Sequence, residues 1–218
     1  MKTKLISPSL LNVSKNQRLK TSKTLFNLGI KWIHYDYMDA KFVPNTAIQV
    51  SEIKKIHKKF PNQISDIHIM AYNPEVIMEQ IFNVVTYATF HYEVFENASK
   101  IKDFIKKYKS KIKIGIAINP NTSEEVLLPF LSEIDLVLIM SVFPGKGGQS
   151  FIESSYKKIA NLAKIRQENN YKFLIQVDGG IKDFNAKQVF DSGADVIVSG
   201  TYLAVKPTKQ KILSLVRD

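Results

Sequence analysis

Eight short apolar or β-branched runs recur along the 218 residues, each followed by a longer segment whose apolar side chains keep helical spacing, and few folds accommodate that alternation. The runs lie near Lys4–Pro8, Trp32–Asp36, Ile64–Ile69, Tyr87–His91, Ile112–Ile118, Leu136–Met140, Phe173–Val177 and Val196–Ser199. Helical patterns cover Asn16–Leu28, Ala47–Phe60, Glu75–Val84, Ala98–Tyr108, Ser123–Leu131, Ser155–Asn169, Phe184–Ser192 and Pro207–Val216. Gly29 and Gly193 stand where helices end, Asn73-Pro74-Glu75 reads as a cap with proline at the first helical position, and Pro120 stops strand five. Repeated βα units of this kind build either a closed barrel or an open doubly wound sheet. The open sheet calls for a glycine fingerprint after its first strand, and Ser7-Pro8-Ser9-Leu10-Leu11 contains no glycine. The expectation is therefore a (β/α)₈ TIM barrel, with residues 1–218 as one domain.

An apolar content of 44% supplies one packed core, and no shift in composition divides the chain. The start, Met1 to Leu11, is charged but lacks an apolar h-region, and no window approaches the length needed to cross a bilayer. A cytoplasmic protein without a membrane partner is expected. With no cysteine, any transition metal must be held by His, Asp or Glu. The net charge of +11 could mark a nucleic-acid surface, but the lysines are spread over several predicted helices with no interleaved aromatic stripe. They read as solvated faces rather than a nucleic-acid footprint. His57, among lysines, reads as surface.

Side chains of a strand alternate, so His34 and Asp36 face the same way, with Met38 following if the strand extends. His68 and Met70 form a second such pair near the end of strand three. Strand seven runs into Asp178-Gly179-Gly180 and leaves a carboxylate at its C-terminal end, where barrel enzymes keep catalytic groups. Any one of these has an ordinary alternative as a satisfied core histidine or a turn-capping aspartate. Four titratable groups at apolar strand ends are costly to bury separately, and a shared divalent cation satisfies all of them. A His₂Asp₂ set suits Zn²⁺, Mn²⁺, Fe²⁺ or Co²⁺.

Pro144-Gly145-Lys146-Gly147-Gly148-Gln149-Ser150 places three glycines after strand six, where backbone N–H groups can approach an anion closely. Gly179-Gly180 after strand seven and Gly200-Thr201 after strand eight add to a phosphate site of the kind such barrels build between their last strands and a helix N-terminus.

Ser7-Pro8-Ser9, His34-x-Asp36-x-Met38-Asp39 with Phe42-Val43-Pro44-Asn45, Asp66-x-His68-x-Met70, Asn73-Pro74, Met140-Ser141-Val142-x-Pro144-Gly145-x-Gly147-Gly148-Gln149 and Val177-Asp178-Gly179-Gly180 together resemble the ribulose-phosphate 3-epimerase family, in its order, from about residue 4 to 204. The resemblance implies a ribulose-phosphate-binding barrel that reversibly inverts C3 between ribulose 5-phosphate and xylulose 5-phosphate in the pentose phosphate pathway. It also implies one divalent metal held by His34, Asp36, His68 and Asp178, with Asp36 and Asp178 exchanging the proton. By the same resemblance Ser9, His68, Gly145, Gly147, Gly148, Asp178, Gly179, Gly180, Gly200 and Thr201 contact a small phosphorylated ketose, and Lys146 in the same loop either reaches its phosphate or is solvated at the loop tip. Met38, Met70 and Met140 line the reacting centre, and the protein assembles as a homo-oligomer.

Chemistry agrees with those roles, because inverting a carbon α to a carbonyl needs one group to remove a proton and another to deliver one from the opposite face. Three places depart from the family's usual pattern: Lys146 replaces a large apolar residue, Ala40-Lys41 replaces Gly-His, and Thr201-Tyr202 replaces Ser-Ala. They bear on substrate preference, so allulose-6-phosphate 3-epimerase is the neighbouring alternative and a non-catalytic phosphoanion- or nucleic-acid-binding barrel the distant one. His91, at the end of strand four, could stand behind the metal ligands, but a structural hydrogen bond is the expectation.

Overall fold

The computed structural model describes residues 4–217, so the outermost positions of the expected 1–218 domain lie outside the description. Eight strands are β1 (Leu5–Ser7), β2 (Trp32–Met38), β3 (Ile64–Met70), β4 (Tyr87–His91), β5 (Lys113–Ile118), β6 (Leu136–Met140), β7 (Leu174–Asp178) and β8 (Val196–Val198). All pair in parallel in the order β1-β8-β7-β6-β5-β4-β3-β2. The ring closes just beyond β1, where the His34 N–H donates to Pro8 at 3.0 Å and the Leu10 N–H donates to His34 at 3.3 Å. The helices are α1 (Arg18–Asn27), α2 (Val50–Lys59), α3 (Pro74–Ile81), α4 (Ala98–Tyr108), α5 (Ser155–Glu168), α6 (Asp183–Asp191) and α7 (Lys209–Val216). None of the described helices is long and apolar enough to cross a membrane. The (β/α)₈ barrel expected from the alternation is thus the fold.

Two-residue alternation sorts each strand between two apolar layers. Val137 and Ile139 of β6 point outward and join Ile33, Tyr35, Ile67 and Ile69 against the helices, whereas Leu136, Leu138 and Met140 fill the barrel interior with Trp32, Tyr87 and Val196. A third cluster of Met38, Val43 and Met70 sits at the rim. An apolar side chain buried in such a layer contributes roughly 1.5–3 kcal/mol. Giving the inward positions His34, Asp36, Asp66, His68, His91 and Gln176 to polar residues therefore concentrates a loss of stability in one part of the barrel, all six being buried.

Two expected features change. The helical pattern at Ser123–Leu131 folds as a 3₁₀ turn over Glu124–Leu127, with Leu128, Phe130 and Glu133 continuing three-residue hydrogen bonds. Leu127, Phe130 and Leu131 are nonetheless fully buried, so the apolar spacing serves successive tight turns instead of a helix. A π-helical turn, Gly200–Ala204, follows β8 directly and precedes α7. Gly29 and Gly193 end α1 and α6 at φ 89° and 119°, as their positions imply, and Pro74 is the first residue of α3. Asn73 precedes it without a side-chain cap. Ala40 adopts φ 60°, a left-handed conformation that suits glycine better. The lysines of α2 at positions 54, 55, 58 and 59 are exposed, and His57 beside them is half-buried.

Candidate active site

Strand register does most of the assembly. In the β2–β3 pair, His34 lies opposite Asp66, Asp36 opposite His68, and Met38 opposite Met70. In the β6–β7 pair, Met140 lies opposite Asp178. The inward faces of three strands thus deliver His34, Asp36, His68 and Asp178 to one place, with one ligand-capable atom of each lying within 4.8 Å of every other. Oδ1 of Asp36 is 3.5 Å from both His34 Nε2 and His68 Nδ1, and Oδ2 of Asp178 is 3.8 Å and 4.0 Å from the same two nitrogens.

Those two nitrogens test whether a cation fits. Both imidazoles are fully buried, and neither His34 Nε2 nor His68 Nδ1 has a hydrogen-bond partner among the described residues. An unpaired buried polar atom is costly, so a pair of them aimed at one point calls for something to bind there. Two ligand atoms at zinc-type bond lengths in a tetrahedral arrangement sit about 3.4 Å apart, close to the separations found. The donor set of two imidazoles and two carboxylates suits a divalent transition metal. The His/Asp cluster can hold a metal ion.

The electrostatics run the same way. Burial opposes charge on His34, yet the Asp66 and Asp36 carboxylates outweigh it and raise that imidazole well above its ordinary value. His68 goes the other way, lowered to about 4 chiefly by burial, with His91 adding to the effect against Asp36. Asp36 is held well below the usual carboxylate range, because His34 and His68 outweigh the cost of its burial. Asp178 is pushed up to about 7 by burial and, against His34, by the like charges of Asp36 and Asp66. With no cation between them, the two carboxylates facing one space thus favour opposite protonation states.

Ligand orientation comes from the layer behind. Oδ1 of Asp66 closes on Nδ1 of His34, while its Oδ2 accepts from Ser7 Oγ at 2.7 Å and Gln176 Nε2 at 3.1 Å. Ser9 Oγ donates to Asp36 Oδ2 at 2.6 Å and accepts the Leu11 N–H at 3.1 Å. His91 hydrogen-bonds to His68, with the two Nε2 atoms 2.7 Å apart, and so stands behind a candidate ligand, the less favoured of its two readings. Asp66, Ser7 and Gln176 escaped sequence reading as partners of the site. Ser7 and Asp66 stand in motifs of the family resemblance without a role assigned to them, and Gln176 had only its polarity at an inward strand position as a signal.

Above the cluster opens a cavity enclosing about 640 Å³, part of it continuous with solvent. Ser9, Asp36, Asp178 and the methionines Met38, Met70 and Met140 form its floor and walls, and Gly145, Lys146, Gly147, Gly148, Gly179, Gly180, Gly200 and Thr201 also line it. His68, expected among the substrate contacts, is fully buried and does not line the cavity. The glycine loop is tied down from two sides. Gln149 Nε2 donates to the carbonyls of Phe143 and Lys146, both at 2.7 Å, and Asn45 Nδ2 donates to the carbonyl of Gly145 at 2.8 Å. Gly179 and Gly180 have φ 125° and 65°, and a Cβ on either would strike backbone, of Val142 at 2.8 Å or Phe151 at 2.4 Å. Only glycine lets the chain turn here. Asn12, which the sequence did not single out, also lines the cavity and donates through Nδ2 to Thr201 Oγ1 at 2.6 Å.

Comparison with known proteins places the chain among relatives. The model of the ribulose-phosphate 3 epimerase family matches residues 5–204. Ribulose-phosphate 3-epimerase of Schizosaccharomyces pombe is 33% identical over 216 residues, which cover 98% of this chain and 92% of that protein. The enzyme of the same name from Treponema pallidum is 34% identical, with 90% of this chain and 89% of that one covered. Among solved structures, 3-hexulose-6-phosphate synthase from Salmonella typhimurium shares the fold at a TM-score of 0.68 and 14% identity, covering 99% of this chain and 96% of the other.

Proposed function

The chain belongs to the ribulose-phosphate 3-epimerase family and is an isomerase of that type, and from that premise we propose that residues 1–218 form one catalytic domain inverting C3 of ribulose 5-phosphate with Asp36 and Asp178 as the two proton-transferring groups. The reading is supported above all by two buried imidazole nitrogens, without a hydrogen-bond partner among the described residues, that face two carboxylates beneath a glycine-walled cavity.

His34 through Nε2, His68 through Nδ1, and Asp36 and Asp178 through carboxylate oxygens would hold one Zn²⁺, Mn²⁺, Fe²⁺ or Co²⁺. When bound, such a cation supplies stabilisation for the negative charge that develops on the substrate oxygens as C3 loses its proton. The remaining work falls to the chain. Backbone N–H groups of Gly147, Gly148, Gly180, Gly200 and Thr201 anchor the phosphate, and Lys146 reaches it from the cavity lip. Anchoring one end of the substrate fixes C3 between the carboxylates of β2 and β7. Asp36 takes the proton from one face, and Asp178 delivers one to the other; the reverse reaction exchanges their roles. Ser9 holds Asp36 in place through its hydroxyl. Met38, Met70 and Met140 keep water from the deprotonated carbon. Two copies or more assemble in solution, as in the resemblance on which this reading builds.

Incubation with ribulose 5-phosphate in deuterated water tests the reaction. Solvent deuterium at C3 of the xylulose 5-phosphate formed is expected, and product without deuterium would exclude a proton-transfer epimerase.

A further inference from the structure

Only one ring nitrogen of His68 faces the four-residue cluster. Nδ1 points toward Asp36 and Asp178 with no hydrogen-bond partner among the described residues, and Nε2 lies 2.7 Å from Nε2 of His91 on the next strand. His91 is fully buried, and its Nδ1 is 3.0 Å from Oε2 of Glu93. Oε1 of Glu93 accepts the Asn119 N–H at 2.7 Å and the Thr122 hydroxyl at 2.5 Å. The ammonium of Lys158 then pins the same loop by donating to the carbonyls of Asn119, Pro120 and Thr122. The ring of Phe42 packs over His91 with centroids 4.7 Å apart.

With both rings neutral, donor and acceptor counting leaves one consistent arrangement. An ionised carboxylate only accepts, and Glu93 is kept ionised by the donors around it, which outweigh the cost of its burial. His91 Nδ1 must therefore carry the proton that meets Glu93. In a neutral ring its Nε2 is then a lone pair, so the proton between the two imidazoles belongs to His68 Nε2. That leaves His68 Nδ1 as a lone pair directed at the cluster. The reverse order, with the proton on His68 Nδ1, would set a lone pair of His91 against the Glu93 carboxylate at 3.0 Å.

We propose that Glu93, acting through His91, is a positioning residue that fixes the ring proton of His68 on Nε2 and thereby presents Nδ1 as a cation ligand. The inference rests on the divalent-cation reading above. It extends to His68 the arrangement that Asp66 provides directly for His34, so each metal-facing imidazole is backed by a carboxylate.

Long-range ¹H–¹⁵N correlation on the cation-free, full-length wild-type protein tests it without any substitution. Nε2–H on His68 and Nδ1–H on His91 are expected; Nδ1–H on His68 or Nε2–H on His91 overturns the proposal. Titration with Co²⁺, followed by its visible absorption, gives the second test. Affinity should fall roughly 10–100-fold in Glu93→Ala and return most of the way in Glu93→Asp, the range seen when partners behind a ligand are removed, whereas a Glu93→Ala affinity within about twofold of wild type overturns the proposal. Co²⁺ binding by the wild type together with an unchanged variant sinks this inference alone. A wild-type protein that takes up no Co²⁺ sinks the cation reading itself.

Discussion

The Ser9 hydroxyl donates to Oδ2 of Asp36 at 2.6 Å, leaving Oδ1 to face His34 and His68. One oxygen of that carboxylate is thereby committed to orientation and the other to the cluster. Ser9 stands on the segment that closes the barrel between β1 and β2, so closure of the fold and orientation of the proposed base share a residue. Ser9→Ala leaves a buried carboxylate oxygen without its donor, which should lower stability by about 1–3 kcal/mol. Urea unfolding measures this, and an unchanged midpoint with an unchanged slope would contradict the bond's role.

Asp178→Asn keeps the shape of the side chain and removes its ability to exchange a proton. Turnover should fall roughly 10²–10⁴-fold, the usual contribution of a positioned acid or base. Deuterium exchange at C3 should fall with it, while far-ultraviolet circular dichroism stays that of the folded barrel. Wild-type turnover in this variant would remove Asp178 from the mechanism.

Asp39 gives a pH dependence away from the proposed ligands. Its Oδ1 accepts the N–H groups of Lys41 and Phe42 at 2.8 Å and 2.7 Å, and Oδ2 accepts that of Tyr72 at 3.0 Å. Burial opposes the charge, but these three bonds outweigh it and lower the carboxyl below its ordinary value of 3.8. A depressed folded-state value means that the stabilisation is present above the unfolded value and is lost as pH falls through the folded one. Asp39→Ala should therefore be less stable than wild type at pH 7, and the gap should close as pH drops below about 3.8. Chemical unfolding across pH 7 to 3 checks this, and a gap independent of pH would contradict it.

Lys146 is exposed at the cavity lip, while its carbonyl is held by Gln149. Removing the ammonium should weaken substrate binding without touching the reacting carbon, so Lys146→Ala should raise KM severalfold at nearly constant kcat. An unchanged KM would return the side chain to solvent.

Much of this site is legible in the sequence because strand alternation is a local rule. From His34-x-Asp36-x-Met38 and Asp66-x-His68-x-Met70 alone, one can infer that each set shares a face, and the structure bears that out over the full length of β2 and β3. What is not local stays hidden. Asp66 meets His34 across 32 residues and Glu93 reaches His68 only through His91, contacts fixed by which strands pair and in what register. The stretch at Ser123–Leu131 departs from its helical pattern for a different reason: apolar residues three and four apart fit successive 3₁₀ turns as well as an α-helix.

Crystals of the full-length protein grown with Mn²⁺ would test the central claim most directly, through anomalous scattering. One peak is predicted at coordination distance, about 2.0–2.3 Å, from His34 Nε2, His68 Nδ1 and carboxylate oxygens of Asp36 and Asp178. A peak bound elsewhere, with these four side chains uncoordinated, would contradict the account.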